Sequence, residues 1–345
     1  MIRRKLLSLG LLAVLAFCIV APADEKVLYQ KQSPYNTIIV TEDGRGLRTL
    51  SFGRQSVQSV VKLGDPDHLE CKYTRAMPVA LALVEEPRRV LFVGLGGGSI
   101  PSFLRKHYAQ TRIDVVEIDP EVVAVAKKFF AFREDAAMHA YVKDGRRFIE
   151  ECRDPYDVIF LDAYGPDSIP YALSTREFLH AVRRALTPKG IAVANVWSRS
   201  SNPLYDSMVR TYQDVFEHLA ILDVQGSENK IFLAMPRQRQ IPQDELARRA
   251  REISREKGFR YDLGDVVTYG YREAGKKDPG ARVLTDKNEK EDTGKRYRET
   301  DAGDLRSNLE RGLTEEEKEK REKGKVGKVI SGSHAERGNR WPMIR

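Results

Sequence analysis

Cysteine is scarce in this chain: its 345 residues include three, Cys18, Cys71 and Cys152, and its six histidines are scattered. Such a count excludes a disulfide framework. No pair stands at the spacing of a metal-binding motif, so no metal is expected. His107, His139 and His180 lie in helix- or strand-like surroundings and read as structural. Aromatic residues are also few, at 8%, and do not interleave with a basic stripe. The formal charge of +8 is therefore spread out, and nucleic-acid binding is not indicated. Long apolar runs are missing beyond Val20, and no Gly-Lys-Ser/Thr follows a glycine-rich turn, which excludes a P-loop.

The longest apolar run is at the N-terminus. Arg3, Arg4 and Lys5 precede Leu6 to Val20, and Ala21-Pro22-Ala23 follows as an A-x-A-like cleavage site. Residues 1–23 thus read as a signal peptide, the run being short of the roughly 20 residues that span a membrane. The expectation is an exported protein, periplasmic or secreted. The alternative is an uncleaved, membrane-anchoring segment, which is also the only membrane contact expected. Phe17, just before Cys18, is a poor residue for lipoprotein processing.

The most informative stretch runs from Arg89 to Asp119. Arg89-Val90-Leu91-Phe92-Val93 has the composition of a buried parallel strand. Gly94, Gly96, Gly97 and Gly98 follow, a backbone able to turn sharply and to let a ligand approach the start of the next helix. Ile100, Phe103 and Leu104 are spaced to face a sheet from that helix. A second strand carries Glu117 about twenty residues past the glycines, where a carboxylate can accept from two ribose hydroxyls. Strand, glycine turn, helix, strand and acid describe a pocket for an adenosine-like ligand. Dinucleotides and sulfonium nucleosides both remain open.

Period-two runs at residues 36–41, 47–52 and 56–61 predict a small antiparallel β domain over residues 24–68. Asp65-Pro66-Asp67 then opens a helix carrying Tyr73, Met77, Ala80 and Leu81. Beyond Glu117, Asp119-Pro120-Glu121 starts a helix, and residues 138–142 form a third strand. It ends at Asp144-Gly145, where Asp144 can take an adenine amino group and Gly145 lets the backbone lie near the ring; an Asp-Gly turn into a helix is the blander reading. A fourth strand, 156–161, delivers Asp162, and Ser174-Thr175-Arg176-Glu177 caps the next helix. Strand five at 191–196, a helix over 203–218 and paired strands at 220–224 and 230–234 follow. Residues 69–236 are therefore an α/β domain with a doubly wound, mostly parallel sheet and a late antiparallel element. Residues 237–274 read as an extension, with a helix over 243–257 and a strand at 266–269, and residues 275–345 as a charged, solvated tail.

From Tyr73 to about Ser198 the sequence resembles the spermidine synthase family of polyamine aminopropyltransferases, a branch of the class I methyltransferase fold with its seven-stranded sheet. Gly94-Leu95-Gly96-Gly97-Gly98 matches the family's glycine-rich segment, Glu117 its ribose acid and Asp144-Gly145 its adenine motif. Asp162-Ala163-Tyr164-Gly165-Pro166 matches its catalytic loop, and Tyr35-Asn36 lies near a Tyr-Gln of its hairpin domain. The resemblance implies transfer of an aminopropyl group from decarboxylated S-adenosylmethionine to a small-molecule amine, in polyamine biosynthesis. It makes Asp162 the base and puts Tyr73 on the substrate side. Asn36, Gly94, Gly96, Gly98, Glu117, Asp144 and Gly145 are then the nucleoside-binding set, and a homodimer through the hairpin domain is implied as well.

Two family carboxylates that bind cationic groups fall here at Gly97 and Gly165, with Asp167 near the second. Arg75 adds a positive charge that suits the carboxylate of intact S-adenosylmethionine, or an acidic acceptor. Three readings stay open: an aminopropyltransferase, a methyltransferase using S-adenosylmethionine, and an exported non-catalytic relative that binds a nucleoside or polyamine.

Overall fold

The computed structural model describes residues 25–289, apart from 54, 55, 63, 66 and 85. Residues 1–24, which include the segment read as a signal peptide, and the stretch from 290 onward lie outside the described residues. Four strands open the chain, β1 (Lys26–Gln32), β2 (Thr37–Glu42), β3 (Leu47–Phe52) and β4 (Ser56–Lys62), paired antiparallel in chain order. The sequence pattern predicts three of them. The edge strand β1 has no buried face, so no alternation marks it.

Helix α1 (Lys72–Ala76) runs into a 3-10 turn, Met77–Ala82, that is buried throughout. The helix expected from Asp65 begins only at Lys72. The alternation of strand and helix then unfolds as β5 (Arg89–Val93), α2 (Ser99–His107), β6 (Arg112–Glu117), α3 (Pro120–Phe129), β7 (Met138–Val142), α4 (Gly145–Glu150) and β8 (Tyr156–Leu161). It continues with α5 (Arg176–Ala185), β9 (Leu186–Trp197), α6 (Tyr205–Val215), β10 (His218–Asp223) and β11 (Asn229–Met235). Helices α7 (Gln243–Lys257) and α8 (Leu263–Gly270) and the short β12 (Tyr271–Glu273) complete it.

The large sheet has the order β12-β10-β11-β9-β8-β5-β6-β7, with β9, β8, β5, β6 and β7 parallel and β11 antiparallel to its neighbours. The expected seven strands are present, and β12 adds an eighth at the edge. Chain order reverses between β5 and β8, and a crevice opens at the C-terminal ends of strands at such a switch point. Phe92 of β5 and Phe160 of β8 stack across it, with centroids 4.5 Å apart.

The hairpin sheet is fixed to this layer through α3. Ile38, Val40, Leu50, Phe52 and Val61 bury against Val122, Val125 and Phe130. Ser33 donates to Asp119, whose carboxylate also caps α3 by accepting from the Glu121 N–H. Tyr29 and Lys31 both donate to the Glu121 carboxylate.

Two expectations near the C-terminal end are corrected. Residues 266–269, read as a strand, lie in α8: Asp262 caps that helix by accepting from the Gly264 N–H at 2.7 Å, and Leu263 and Val267 are buried. β-Branched residues favour strands only weakly against such a cap and buried face. Residues 275–289, assigned to the solvated tail, are docked on the domain. Leu284 is fully buried. Its N–H donates to Thr211 at 2.9 Å, and its carbonyl accepts from the Arg176 N–H at 2.8 Å. Arg146 grips Asp286 with two hydrogen bonds of 2.8 and 2.7 Å.

Candidate active site

A cavity of about 270 Å³ lies at the C-terminal ends of β5 and β8, and it takes in Tyr73, Asp162, Asn36, Gly94, Gly96, Glu117, Asp144 and Gly145. Gly98 is not on its wall. It holds a φ of +72° ahead of α2 and packs against Phe132, where a Cβ would approach within 2.7 Å. Gly94 turns the chain out of β5 with φ +98°, and a Cβ there would come within 2.4 Å of the Asp162 carbonyl oxygen. Only glycine fits that crossing of the two strand ends.

On the β6–β7 side, Glu117 is half-buried, and burial raises its pKa above the usual carboxylate value. Its oxygens accept from the backbone N–H groups of Leu95 and Asp119, each at 3.0 Å. Each carboxylate oxygen has a further lone pair, so ribose hydroxyls can add to these bonds. Asp144 is exposed at the end of β7 and caps α4 by accepting from the Arg147 N–H at 2.8 Å. It therefore performs the plain capping role and stands on the cavity wall as well. A Cβ on Gly145 would lie 2.6 Å from Val93, so glycine lets the start of α4 pack against β5 at the cavity wall. Asn36 reaches the same cavity from the hairpin sheet, and its buried Oδ1 has no partner within the protein. An orphaned acceptor there fits a ligand with hydroxyl or amino donors.

On the β8 side, Asp162 is half-buried on the wall, and desolvation raises its pKa to about 7. Hydrogen bonds from Asn195 and Tyr73 oppose that rise. Asn195 Nδ2 donates to Asp162 Oδ1 at 2.9 Å, Asn229 Nδ2 donates to Asn195 Oδ1 at 2.8 Å, and Ser227 donates to Asn229 Oδ1 at 2.6 Å. The relay fixes the amides and leaves one Asp162 oxygen to Tyr73 and the cavity. Tyr73 is raised well above its usual pKa by burial and then by the Asp162 charge, so it stays a neutral donor. Tyr164 packs against Trp197, with ring centroids 5.0 Å apart and planes tilted by 33°, and donates to the Asn195 carbonyl oxygen at 3.0 Å.

Asn195, Asn229 and Trp197 are not singled out by the sequence, and Tyr164 enters there only as part of the loop after Asp162. A polar residue inside the apolar strand 191–196 is the signal that points to Asn195, since a buried amide needs partners. Three other expectations shift. Arg75 is not on the cavity wall, and its guanidinium donates to the Leu69 carbonyl oxygen instead. Asp167 is exposed and also off the wall. A side chain at Gly97 would meet Ser59 Oγ at 2.6 Å and Phe130 at 2.9 Å, so that position has no space for an acid as the structure stands.

The loop after Asp162 folds over the cavity, with Pro170, Ala172 and Leu173 on its wall. Arg146 donates to the Ala172 carbonyl oxygen at 3.2 Å, and Tyr171 donates to the Thr285 carbonyl oxygen at 3.2 Å. The docked segment at 284–286 thus holds the cover of the cavity.

A family model described as the spermine/spermidine synthase domain matches residues 70–219. The polyamine aminopropyltransferase of Vibrio vulnificus is 34% identical over 217 residues, covering 61% of this chain and 72% of that protein. The eEF1A lysine and N-terminal methyltransferase of Bos taurus is 35% identical over 185 residues, covering 48% of this chain and 26% of that protein. The fold is shared with a crystal structure of a probable spermidine synthase from Corynebacterium glutamicum, at a TM-score of 0.59 and 23% identity, covering 75% of this chain and 96% of that one. With a nucleoside-sized cavity at the switch point of a methyltransferase-like sheet and relatives that are transferases, the chain belongs to the spermine/spermidine synthase family.

Proposed function

We propose that the protein transfers an aminopropyl group from decarboxylated S-adenosylmethionine to an amine, with Asp162 as the base. The observation that carries this reading is the Asp162 carboxylate: it stands at the end of β8, across the Gly94 turn from Glu117, with its pKa raised to about 7. An alkylammonium titrates near 10, so a bound amine has to give up a proton before it can attack. A carboxylate near 7 accepts that proton more readily than an ordinary aspartate. The amine lone pair forms the new C–N bond to the carbon attached to sulfur. The C–S bond breaks with its electron pair going to sulfur, which leaves neutral methylthioadenosine, and the proton passes to Asp162. Because the sulfonium is already a good leaving group, the protein's remaining task is to align the amine. Glu117 would hold the ribose, and Asp144, Gly145 and Asn36 the rest of the nucleoside.

Methyl transfer from intact S-adenosylmethionine is the second reading. Gly97 and Gly165 favour it, because they stand where the resemblance expects acids for cationic groups, and so does the similarity to a methyltransferase over 185 residues. The position of Arg75, turned from the cavity, removes one of its supports. Calorimetric binding of decarboxylated S-adenosylmethionine, S-adenosylmethionine and methylthioadenosine separates the two. Tighter binding of the decarboxylated donor is expected, and preference for the intact one would sink the aminopropyl reading. Export through residues 1–23 and a homodimer remain part of the proposal, checked by cell fractionation and light scattering.

A further inference from the structure

We propose that the acceptor is a monoamine, a molecule with one basic nitrogen on an apolar or aromatic body, rather than a diamine. The inference rests on the aminopropyl-transfer reading and names the acceptor of that same site. The strand order divides the cavity wall. Glu117 ends β6 and Asp144 follows β7, on the nucleoside side of β5, whereas Asp162 and Tyr164 follow β8, Asn195 and Trp197 belong to β9, and Asn229 starts β11, on the other. Among the described residues, Asp162 is the only carboxylate on that second side of the cavity.

The positions that could have added another do not. Gly97 faces Ser59 and Phe130, Asp167 is exposed off the wall, and Gly165 carries no side chain. Nor do the amides replace a second anion: the oxygens of Asn195 and Asn229 accept from Asn229 and Ser227, and a neutral amide supplies no counter-charge. Beside Asp162 the wall offers Tyr73, Gln58 and the face made by Tyr164 and Trp197, all of them neutral. The reacting nitrogen arrives as an ammonium, pairs with Asp162 and surrenders its proton there. The donor's own aminopropyl ammonium enters the same cavity and shares its few carboxylates, so a further ammonium on the acceptor would lose its water against neutral side chains and gain no counter-charge. Ring faces return only part of that loss, whereas an apolar body loses nothing by lying against them.

The test uses the full chain with decarboxylated S-adenosylmethionine and two acceptors of equal length, putrescine and pentylamine, the second carrying a methyl group in place of the distal ammonium. The expected result is a kcat/KM at least about tenfold higher for pentylamine, expressed mainly in KM. Equal values, or a preference for putrescine, overturn the inference while leaving the transfer reading in place. Transfer to neither amine, in a protein that still binds methylthioadenosine, overturns both.

Discussion

Ionising Asp162 where it stands costs free energy, and the pH dependence of the protein should report that cost twice. Its folded pKa, about 7, lies above the usual aspartate value of 3.8, so between those limits the folded state holds a proton that the unfolded chain releases. Stability therefore declines as pH rises through this window, by at most about 4 kcal/mol, and the loss is complete above pH 7. Asp162→Asn should abolish transfer, lowering kcat by about 10²-fold or more, while raising the melting temperature at pH 8 and leaving methylthioadenosine affinity within a few-fold. A melting temperature no higher than that of the parent at pH 8 would contradict the electrostatic account. In the parent, the transfer rate should fall as pH drops below about 7, because the base becomes protonated. Glu117→Ala should act on binding instead, weakening methylthioadenosine by roughly 10- to 100-fold in calorimetry, as expected for lost hydrogen bonds to a charged group. Unchanged affinity would reject the nucleoside role. Strand-end acids and glycines such as these were legible in the sequence because each follows an apolar run directly. Asn229 was not, because its place beside Asn195 comes from antiparallel pairing between β9 and β11, and no local spacing encodes that.

At the level of elements, the turn after β5 and the segment at 284–286 constrain the site in different ways. Gly94→Ala forces a side chain at φ +98° to within 2.4 Å of the Asp162 backbone, whereas Gly96→Ala, at φ +53°, has its nearest neighbour at 3.9 Å. The first should lower both melting temperature and nucleoside affinity, and the second should do markedly less; thermal melts with and without methylthioadenosine compare them. Leu284→Ala should cost about 2–5 kcal/mol, the range for a buried leucine, in denaturant unfolding. Asp286→Ala removes a partly exposed ion pair worth little in itself, so the melting temperature should barely move. It also leaves Arg146, which holds Ala172, tied to Glu150 alone among its acidic partners, and nucleoside affinity should drop a few-fold. The parallel strands β5 to β8 follow the sequence pattern closely because they are apolar runs buried on both faces. The pattern fails for α8 and for the stretch around Leu284, where a few tertiary contacts decide against local composition.

For the molecule as a whole, the described residues belong to one compact unit that ends at Glu289. A chain ending after Glu289 should keep both its melting temperature and its methylthioadenosine affinity, whereas one ending after Ala274 should lose part of each. The chain-order map of the cavity has a further effect on timing. Asn36 lies on its wall near the start of the described chain, Asn229 enters almost two hundred residues later, and the loop after Asp162 is tied to Thr285 and, through Arg146, to Asp286. Domains form progressively as a chain leaves the ribosome, and contacts between distant residues must wait for both partners. The first hairpins and the β5–β8 layer can gather while synthesis continues, but the full set of contacts around the nucleoside pocket is complete only once the chain has emerged to Asp286. In refolding, ligand capture should therefore trail the recovery of sheet signal, making the site the last part of the protein to mature.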